Sequence, residues 1–285
     1  MRQLCLLLLT TVLVSGESPG VAVVELFTSE GCSSCPRAEE ALHLLNAKAV
    51  DARAPVYCIA YHVTIWDTLQ TPHGAWSDPF ANALWTARHK TYATKRPSPH
   101  LPAGSVATPQ FYINALPYAG GDLGALIDSA LATKFPAKIT LEWKGPEKLS
   151  YKVTGAPAGS SLILIVVEDK LSSDVKAGEN AGKNLSHNCV ARSLNSIALD
   201  KNPNSSLAVT IPKHVNRVNA TAIAYVQGSD LAMYGATSLA VPAAAAKTPP
   251  PTTALKSTKP GPTTVAPAGT CELLPDGSKR CNTNP

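Results

Sequence analysis

Apolar positions along the chain change period at Gly31. Before it, Val21 to Phe27 is almost unbroken apolar and rich in β-branched residues, the pattern of a strand covered on both faces. Gly31 supplies a turn. After it the spacing becomes three and four. Ala38, Ala41, Leu42 and Leu45 share a side, with Arg37, Glu39, Glu40 and His43 outside or on its flank. This predicts a helix from Cys35, with Pro36 in the first turn, where its missing N–H costs nothing. Val56–Val63 reads as a second buried strand, with Cys58 as a small core residue. Trp66–Phe80 is irregular and aromatic. Ala81–Thr94 is again helical in pattern, with Leu84, Ala87 and Thr91 along one side and Arg88, His89, Lys90 and Lys95 expected on a solvated face. Pro97, Pro99 and Pro102 make Arg96–Gly104 a loop. The apolar run ending at Asn114 follows Pro109, a residue permitted at the first position of a strand. Thr108–Pro109 is a candidate cis peptide. A turn at Asn114–Pro117, an edge at Tyr118–Gly121 and a helix over Leu123–Phe135 capped by Asp122 follow.

Past residue 136 the pattern shortens to strands at close spacing: 139–143, 149–154, 161–169, 206–211, 221–227 and 233–241, with Gly/Pro turns between them. Such spacing predicts a β-sandwich-like domain over 137–242. Gly178–Asn188 reads as a polar loop. Its Glu179, Asn180, Lys183 and His187, with Arg192, either line a ligand or packing surface or form a hydrogen-bonded loop between domains. Residues 243–270 are rich in Ala, Pro, Thr and Lys and predict a disordered linker. In the tail, 271–285, Cys271 and Cys281 flank a Pro-Asp-Gly turn and predict a local disulfide hairpin; zinc spacing would need closer pairs, and no His accompanies them.

Charge and composition then narrow the function classes. The net charge is +5 and charged residues are 16% of the chain. No Lys/Arg cluster alternates with aromatics, which argues against nucleic acid as a partner. Met1–Gly16 has a basic start, an apolar core and a small-residue end, the form of a secretory signal. It is shorter than the roughly 20 apolar residues of a membrane anchor. The expectation is a secreted or periplasmic protein with no stable membrane insertion, its remaining cysteines in an oxidising compartment. Asn184, Asn204 and Asn219 begin glycosylation sequons, usable in a eukaryotic host.

The candidate chemistry lies at the strand–helix junction. Cys32 falls just before the helix and Cys35 in its first turn, where free N–H groups and the helix dipole favour a thiolate. Three readings are open: a reversible Cys32–Cys35 dithiol/disulfide with Cys32 attacking and Cys35 resolving, a permanent Cys32–Cys35 disulfide, or a metal site joined by His62 or Cys58. The first is favoured, so no metal and no cofactor is expected. Ser33 and Ser34 either hydrogen-bond the thiolate or cap the helix. His62 and Asp67, past the second strand, either line a cleft beside the cysteines or cap a loop. Glu25, inside a buried strand, must find a partner or a proton. It is either a proton relay or a structural acid bonded to Arg, Tyr or Trp.

A strand, a C-x-x-C helix, a second strand and a Thr-Pro strand together resemble the thioredoxin superfamily. The segments VVELFTSEGCSSCPRAE, YHVTIWD, DPFAN, TPQ and AGENAGKNLSH resemble more narrowly the DUF1223 family, exported thioredoxin-like proteins of uncharacterised function, over about Val21–Val241. The resemblance implies a thioredoxin-like α/β domain over 20–136, with a helical insertion at Trp66–Arg96 as a wall over the site. It places Pro109 beside Cys32, lets the Thr108 backbone pair with an extended substrate peptide, and gives Glu25 the relay role toward Cys35. The expected function is a thiol–disulfide oxidoreductase acting on protein or small-molecule thiols and disulfides. The alternative is a redox-inert binding or structural protein.

Overall fold

The computed structural model of the chain describes residues 20–67, 69–71, 74–200, 202–243, 271–273 and 279–281. The expected signal at 1–16 and nearly all of the expected linker at 243–270 lie outside them. In chain order the elements are β1 (Ala22–Thr28), α1 (Cys35–Ala52), β2 (Val56–His62), a 3₁₀ turn at Thr64–Trp66, β3 (Leu69–Thr71), β4 (Gly74–Trp76), α2 (Ala83–Lys95), β5 (Gln110–Ile113), β6 (Leu116–Pro117) and α3 (Leu123–Ala132). Then follow β7 (Lys138–Gly145), β8 (Lys148–Thr154), β9 (Ser161–Glu168), β10 (Leu171–Asp174), β11 (Asn184–His187), β12 (Val190–Ala198), β13 (Asn204–Ala208), β14 (Ala220–Gln227) and β15 (Met233–Ala240).

One eight-stranded sheet, ordered β15-β14-β9-β12-β2-β1-β5-β6, runs through both halves of the sequence. β1 and β2 are parallel, with Glu25 opposite Ile59 and Thr28 opposite His62. β5 runs antiparallel to β1. A separate β-sandwich over 137–242 is therefore not what forms. β9 and β14 are central strands of the shared sheet, β10 and β11 pair as a two-stranded ribbon, and β7, β8 and β13 make a three-stranded sheet, ordered β13-β8-β7. That small sheet packs through Leu149, Tyr151 and Val153 on Leu162, Leu164 and Val166 of β9 and Ala222, Ala224 and Val226 of β14. The reason is visible in β9, SLILIVVE: a strand buried on both faces needs cover on both, so it cannot be the outer layer of a sandwich.

Alternation along β1 sorts the core. Ala22, Val24 and Leu26 pack with Leu42 and Ala49 of α1 and Ile127 of α3. Val23 and Phe27 pack on the other face with Trp85 and Tyr92 of α2. α1 starts at Cys35 as predicted and buries Cys35, Leu42 and Ala49, whereas Ala41 is exposed. α2 turns a different side inward than its pattern suggested. Trp85, His89, Tyr92 and Ala93 are buried, and Leu84 is 63% exposed. Asn82 caps α2 and Asp122 caps α3, each accepting backbone N–H bonds in the first turn. Thr108–Pro109 is cis.

In the tail, Cys271–Leu273 and Lys279–Cys281 pair antiparallel with Cys271 opposite Cys281. The side chains of the expected disulfide lie outside the described residues.

Candidate functional site

Cys32 and Cys35 sit where the sequence put them, as free thiols at the start of α1. The turn is closed by Cys32 N–H donating to Ser29 O (3.3 Å) and Cys35 N–H to Cys32 O (3.3 Å). The Cys32 Sγ lies 3.4 Å from Ser34 Oγ and donates to the Thr108 carbonyl at 3.4 Å. Ser34 is the N-cap residue but makes no side-chain cap bond, so its hydroxyl serves the sulfur. Burial works against a Cys32 thiolate, yet hydrogen bonds with the side chains of Ser34, Thr108 and Cys35 outweigh it and hold the thiol below its ordinary 9.0. Cys35 is opposite in character. Burial, then its bond to Cys32, pushes it up to about 12.

Two segments close over this turn. Trp66 Nε1 donates to Thr108 Oγ1 at 2.8 Å. Its Cβ approaches so near that a side chain at Gly31 would meet it at 2.8 Å. From the far side comes the segment read as a polar loop. Asn180 Nδ2 donates to the carbonyls of Glu30 (2.9 Å) and Cys32 (2.7 Å), while its Oδ1 accepts from Lys183 Nζ. Glu179 accepts from Ser33 N–H at 2.7 Å. Gly178, at φ +78, lets the loop pass 2.9 Å from Gly31 Cα, measured from where a Cβ would stand. Ser33 thus binds the loop through its backbone. Cys32 keeps only 4% exposure.

Beneath the turn, on the α1 face, lies a buried ionic cluster. Glu39, one helical turn after Cys35, accepts from Thr28 Oγ1 (2.5 Å) and pairs with His187 Nδ1 (2.5 Å). His187 Nε2 pairs with Glu30 Oε1 at 2.8 Å, and Glu30 also accepts from Ser173. His62 pairs through Nδ1 with Asp78 Oδ2 at 2.7 Å. Burial opposes the charges of His187, His62, Glu39 and Asp78, but their partners prevail. Glu30 and Glu39 raise His187 to about 9, Asp78 raises His62, and the imidazoles lower Glu39 and Asp78. His62 is fully buried, so it does not line a cleft. Asp67 accepts from Asp78 N–H at 2.8 Å. Among the described residues no cysteine joins a metal-ligating group; the Glu39, His62 and His187 ligand atoms do, lying within 4.8 Å of one another.

Glu25 belongs elsewhere. It faces α2, opposite the α1 face, and accepts from Arg88 Nε (3.1 Å) and Nη2 (2.8 Å) and from the hydroxyls of Tyr61 (3.2 Å), Tyr92 (2.5 Å) and Tyr225 (3.1 Å). A relay to Cys35, which begins the helix on the other face, is not available to it. The structural reading of Glu25 holds, and Arg88 is its counter-ion rather than a solvated charge. Cys58 and Cys189 are buried free thiols that hydrogen-bond each other, which pushes Cys189 well above 9.0. Arg192 Nε lies 3.2 Å from Glu168 Oε2. Of the sequon residues, Asn184 and Asn204 are exposed on β11 and β13, and Asn219 is half-buried.

Sequence reasoning passed over Glu30, Glu39 and Asp78 as site residues, and placed Trp66 only as the start of an insertion over the site. The available signal was Glu39, an acid one turn inside the helix that begins on Cys35, and Glu30, an acid at the foot of the turn itself.

Comparison with known proteins is consistent with this architecture. No curated protein matches the chain. The crystal structure of a protein from Agrobacterium tumefaciens matches with a TM-score of 0.55 at 22% identity, covering 78% of this chain and 95% of that one, and so shares the fold. A domain of the outer membrane lipoprotein Omp28 from Porphyromonas gingivalis aligns over 38% of this chain and 88% of its own at 12% identity, with a TM-score of 0.20, too low to bear on the fold. The family model described as "Protein of unknown function (DUF1223)" matches residues 23–227, well over half of the length, and the chain belongs to that family.

Proposed function

We infer that this protein is an exported thiol–disulfide oxidoreductase of thioredoxin-like type, with Cys32 as nucleophile and Cys35 as resolving thiol. The observation that carries the reading is the asymmetry of the pair. Cys32 Sγ is held low by the side chains of Ser34 and of Thr108 beside Pro109, while Cys35 is sealed behind it with its thiol raised to about 12. A lowered attacking thiol and a raised buried one is what sequential exchange uses. The order of elements supports the thioredoxin-like part: a parallel β1–α1–β2 unit, α2, an antiparallel β5–β6 pair beside β1, then α3. A leader at Met1–Gly16 would deliver the protein to the periplasm or outside the cell.

In the reductive direction the Cys32 thiolate attacks one sulfur of a substrate disulfide. An S–S bond to Cys32 forms as the substrate S–S bond breaks, and one substrate thiolate leaves. Cys35 attacks Cys32 Sγ and its proton passes to a substrate sulfur as the second one leaves, so that one substrate thiol and one thiolate are released. The substrate gains two electrons and the Cys32–Cys35 pair loses two. The Thr108 backbone would pair with an extended peptide, and swinging the Trp66 indole off Thr108 would admit it. Cys32→Ser is expected to abolish insulin-disulfide reduction and thiol oxidation while leaving the fold intact. Undiminished turnover in that variant would end the proposal.

The 4% exposure of Cys32 favours one other reading, a binding or structural protein with a locked Cys32–Cys35 bridge. The reduction potential separates the two. A structural bridge lies below about −300 mV and a catalytic one above it.

A further inference from the structure

We propose that Glu39, His62 and His187 form a binding site for one divalent transition-metal ion of the zinc type, on the α1 face beneath the cysteine turn. This site is distinct from the cysteine pair and does not depend on its redox role. Three elements bring the ligands together: α1 supplies Glu39, β2 His62 and β11 His187.

The donor set is two imidazoles and a carboxylate, a combination that holds zinc with a fourth position left to water. Their ligand atoms lie within 4.8 Å of one another. A tetrahedral ion with bonds of about 2.0–2.1 Å needs its ligands roughly 3.3 Å apart. Small movements suffice. The Glu39–His187 contact, 2.5 Å, opens and His62 closes in.

The surroundings are those of a metal shell. A ligating histidine generally gives its other ring N–H to a carboxylate, which fixes the ring and sharpens its basicity. His62 has Asp78 on Nδ1 (2.7 Å), and His187 has Glu30 on Nε2 (2.8 Å). Glu39 is held through its other oxygen by Thr28. Asp78 is itself fixed by the backbone N–H groups of Glu30 and Phe80.

An independent observation points to a missing ligand partner. His62 is fully buried, yet among the described residues its Nε2 has no hydrogen-bond partner. Native interiors seldom leave such an atom unpaired, and this one belongs to the same three-residue cluster. An ion route exists as well. A cavity of about 380 Å³ is lined by Glu39, His43, Asn184, Ser186 and His187. On binding, the proton shared between His187 Nδ1 and Glu39 leaves and the metal takes its place.

The test is a titration of the chelator-stripped, reduced full-length protein with Zn²⁺ and, for its spectrum, Co²⁺. One equivalent is expected to bind, with the visible bands of a tetrahedral Co²⁺ ion and without the near-ultraviolet band of cobalt–thiolate charge transfer. The Cys32→Ser/Cys35→Ser double variant is expected to bind equally well, which keeps this result apart from the fate of the oxidoreductase reading. Glu39→Gln is expected to lose binding. Asp78→Asn, which removes only an orienting partner, should weaken it about 10- to 100-fold. Circular dichroism confirms that each variant is folded, and if Asp78→Asn is not, Glu39→Gln decides. Absence of stoichiometric binding, a thiolate band lost in the cysteine variant, or full affinity in folded Glu39→Gln would each overturn the site.

Discussion

The two faces of β1 bury charge in different ways. On the α2 side Glu25 meets one guanidinium and three tyrosine hydroxyls, and Arg88 also donates to Tyr92 (2.7 Å) and Gln227 (3.4 Å) and rests over the Tyr92 ring at 4.8 Å. Among the described residues no side-chain atom of Glu25 or Arg88 is buried without a partner. On the α1 side Glu30, Asp78, His62 and His187 are as deeply buried and Glu39 nearly so, but among the described residues Glu30 Oε2 and His62 Nε2 have no partner. The first cluster is closed and reads as architecture. The second has bonding capacity left over, and it adjoins the only C-x-x-C pair of the chain. Depth of burial does not separate these two clusters; completeness of hydrogen bonding does.

Substitutions can break this contrast. The largest effect is expected at Arg88→Met, which strands the Glu25 carboxylate in the core. Unfolding in urea should show a loss of about 3–5 kcal/mol, with Cys32 reactivity unchanged once the protein is folded. The Glu25→Gln/Arg88→Met double variant should recover much of that loss, since an absent pair costs less than half of one.

A second effect comes from His89 on the same face of the sheet, stacked on Phe27 at 4.2 Å and bonded to Gln110 at 2.6 Å. Burial lowers this imidazole from 6.5 to about 4. The unfolded chain therefore takes up the proton first as the solution is acidified. Its contribution to stability is present above pH 6.5 and is lost as pH falls through about 4, about 3 kcal/mol in all. His89→Gln should flatten that limb of a stability–pH curve without moving its alkaline side.

The smallest effect sharpens the other face. Alkylation of Cys32 by iodoacetamide should rise with pH through a midpoint below 9.0, because the folded protein favours the thiolate. Ser34→Ala should shift that midpoint upward and slow the reaction at neutral pH by less than about tenfold, the worth of one hydrogen bond. Neither Arg88 nor His89 variants should move it.

How much of this was legible depends on how local each cause is. β1, the Gly31 turn and α1 follow from a few adjacent residues, so the cysteine turn could be read directly. So could the Asp122 cap and the cis Thr108–Pro109 bond. The inward side of α2 could not. A basic residue is ordinarily solvated, and Arg88 is drawn in by an acid 63 positions away. Glu25 announced that it needed a partner, but not which one. β12 was missed because Arg192, Ser193, Asn195 and Ser196 interrupt its apolar pattern, and a bulge between Ala191 and Ser193 shifts its register. With β12 missed, the merger of two expected domains into one sheet was missed too. The gathering of His62, His187, Glu30 and Glu39 has the same origin, since His187 arrives on β11, in a segment whose polarity reads as loop.

The junction of β12 with β2 is narrow: a single register pair, Val190 with Ala60, and the bond from Ala60 N–H to Cys189 O at 2.8 Å. Native contact there unites chain segments synthesised far apart, so the outer margin of β2 stays unprotected until the ribosome has passed position 190. A fragment ending near residue 136 would carry the cysteine turn on a sheet with a raw border, prone to stick to other copies of itself rather than to fold. The half that carries the cysteine turn is expected not to be a portable module, its maturation being tied to completion of the other.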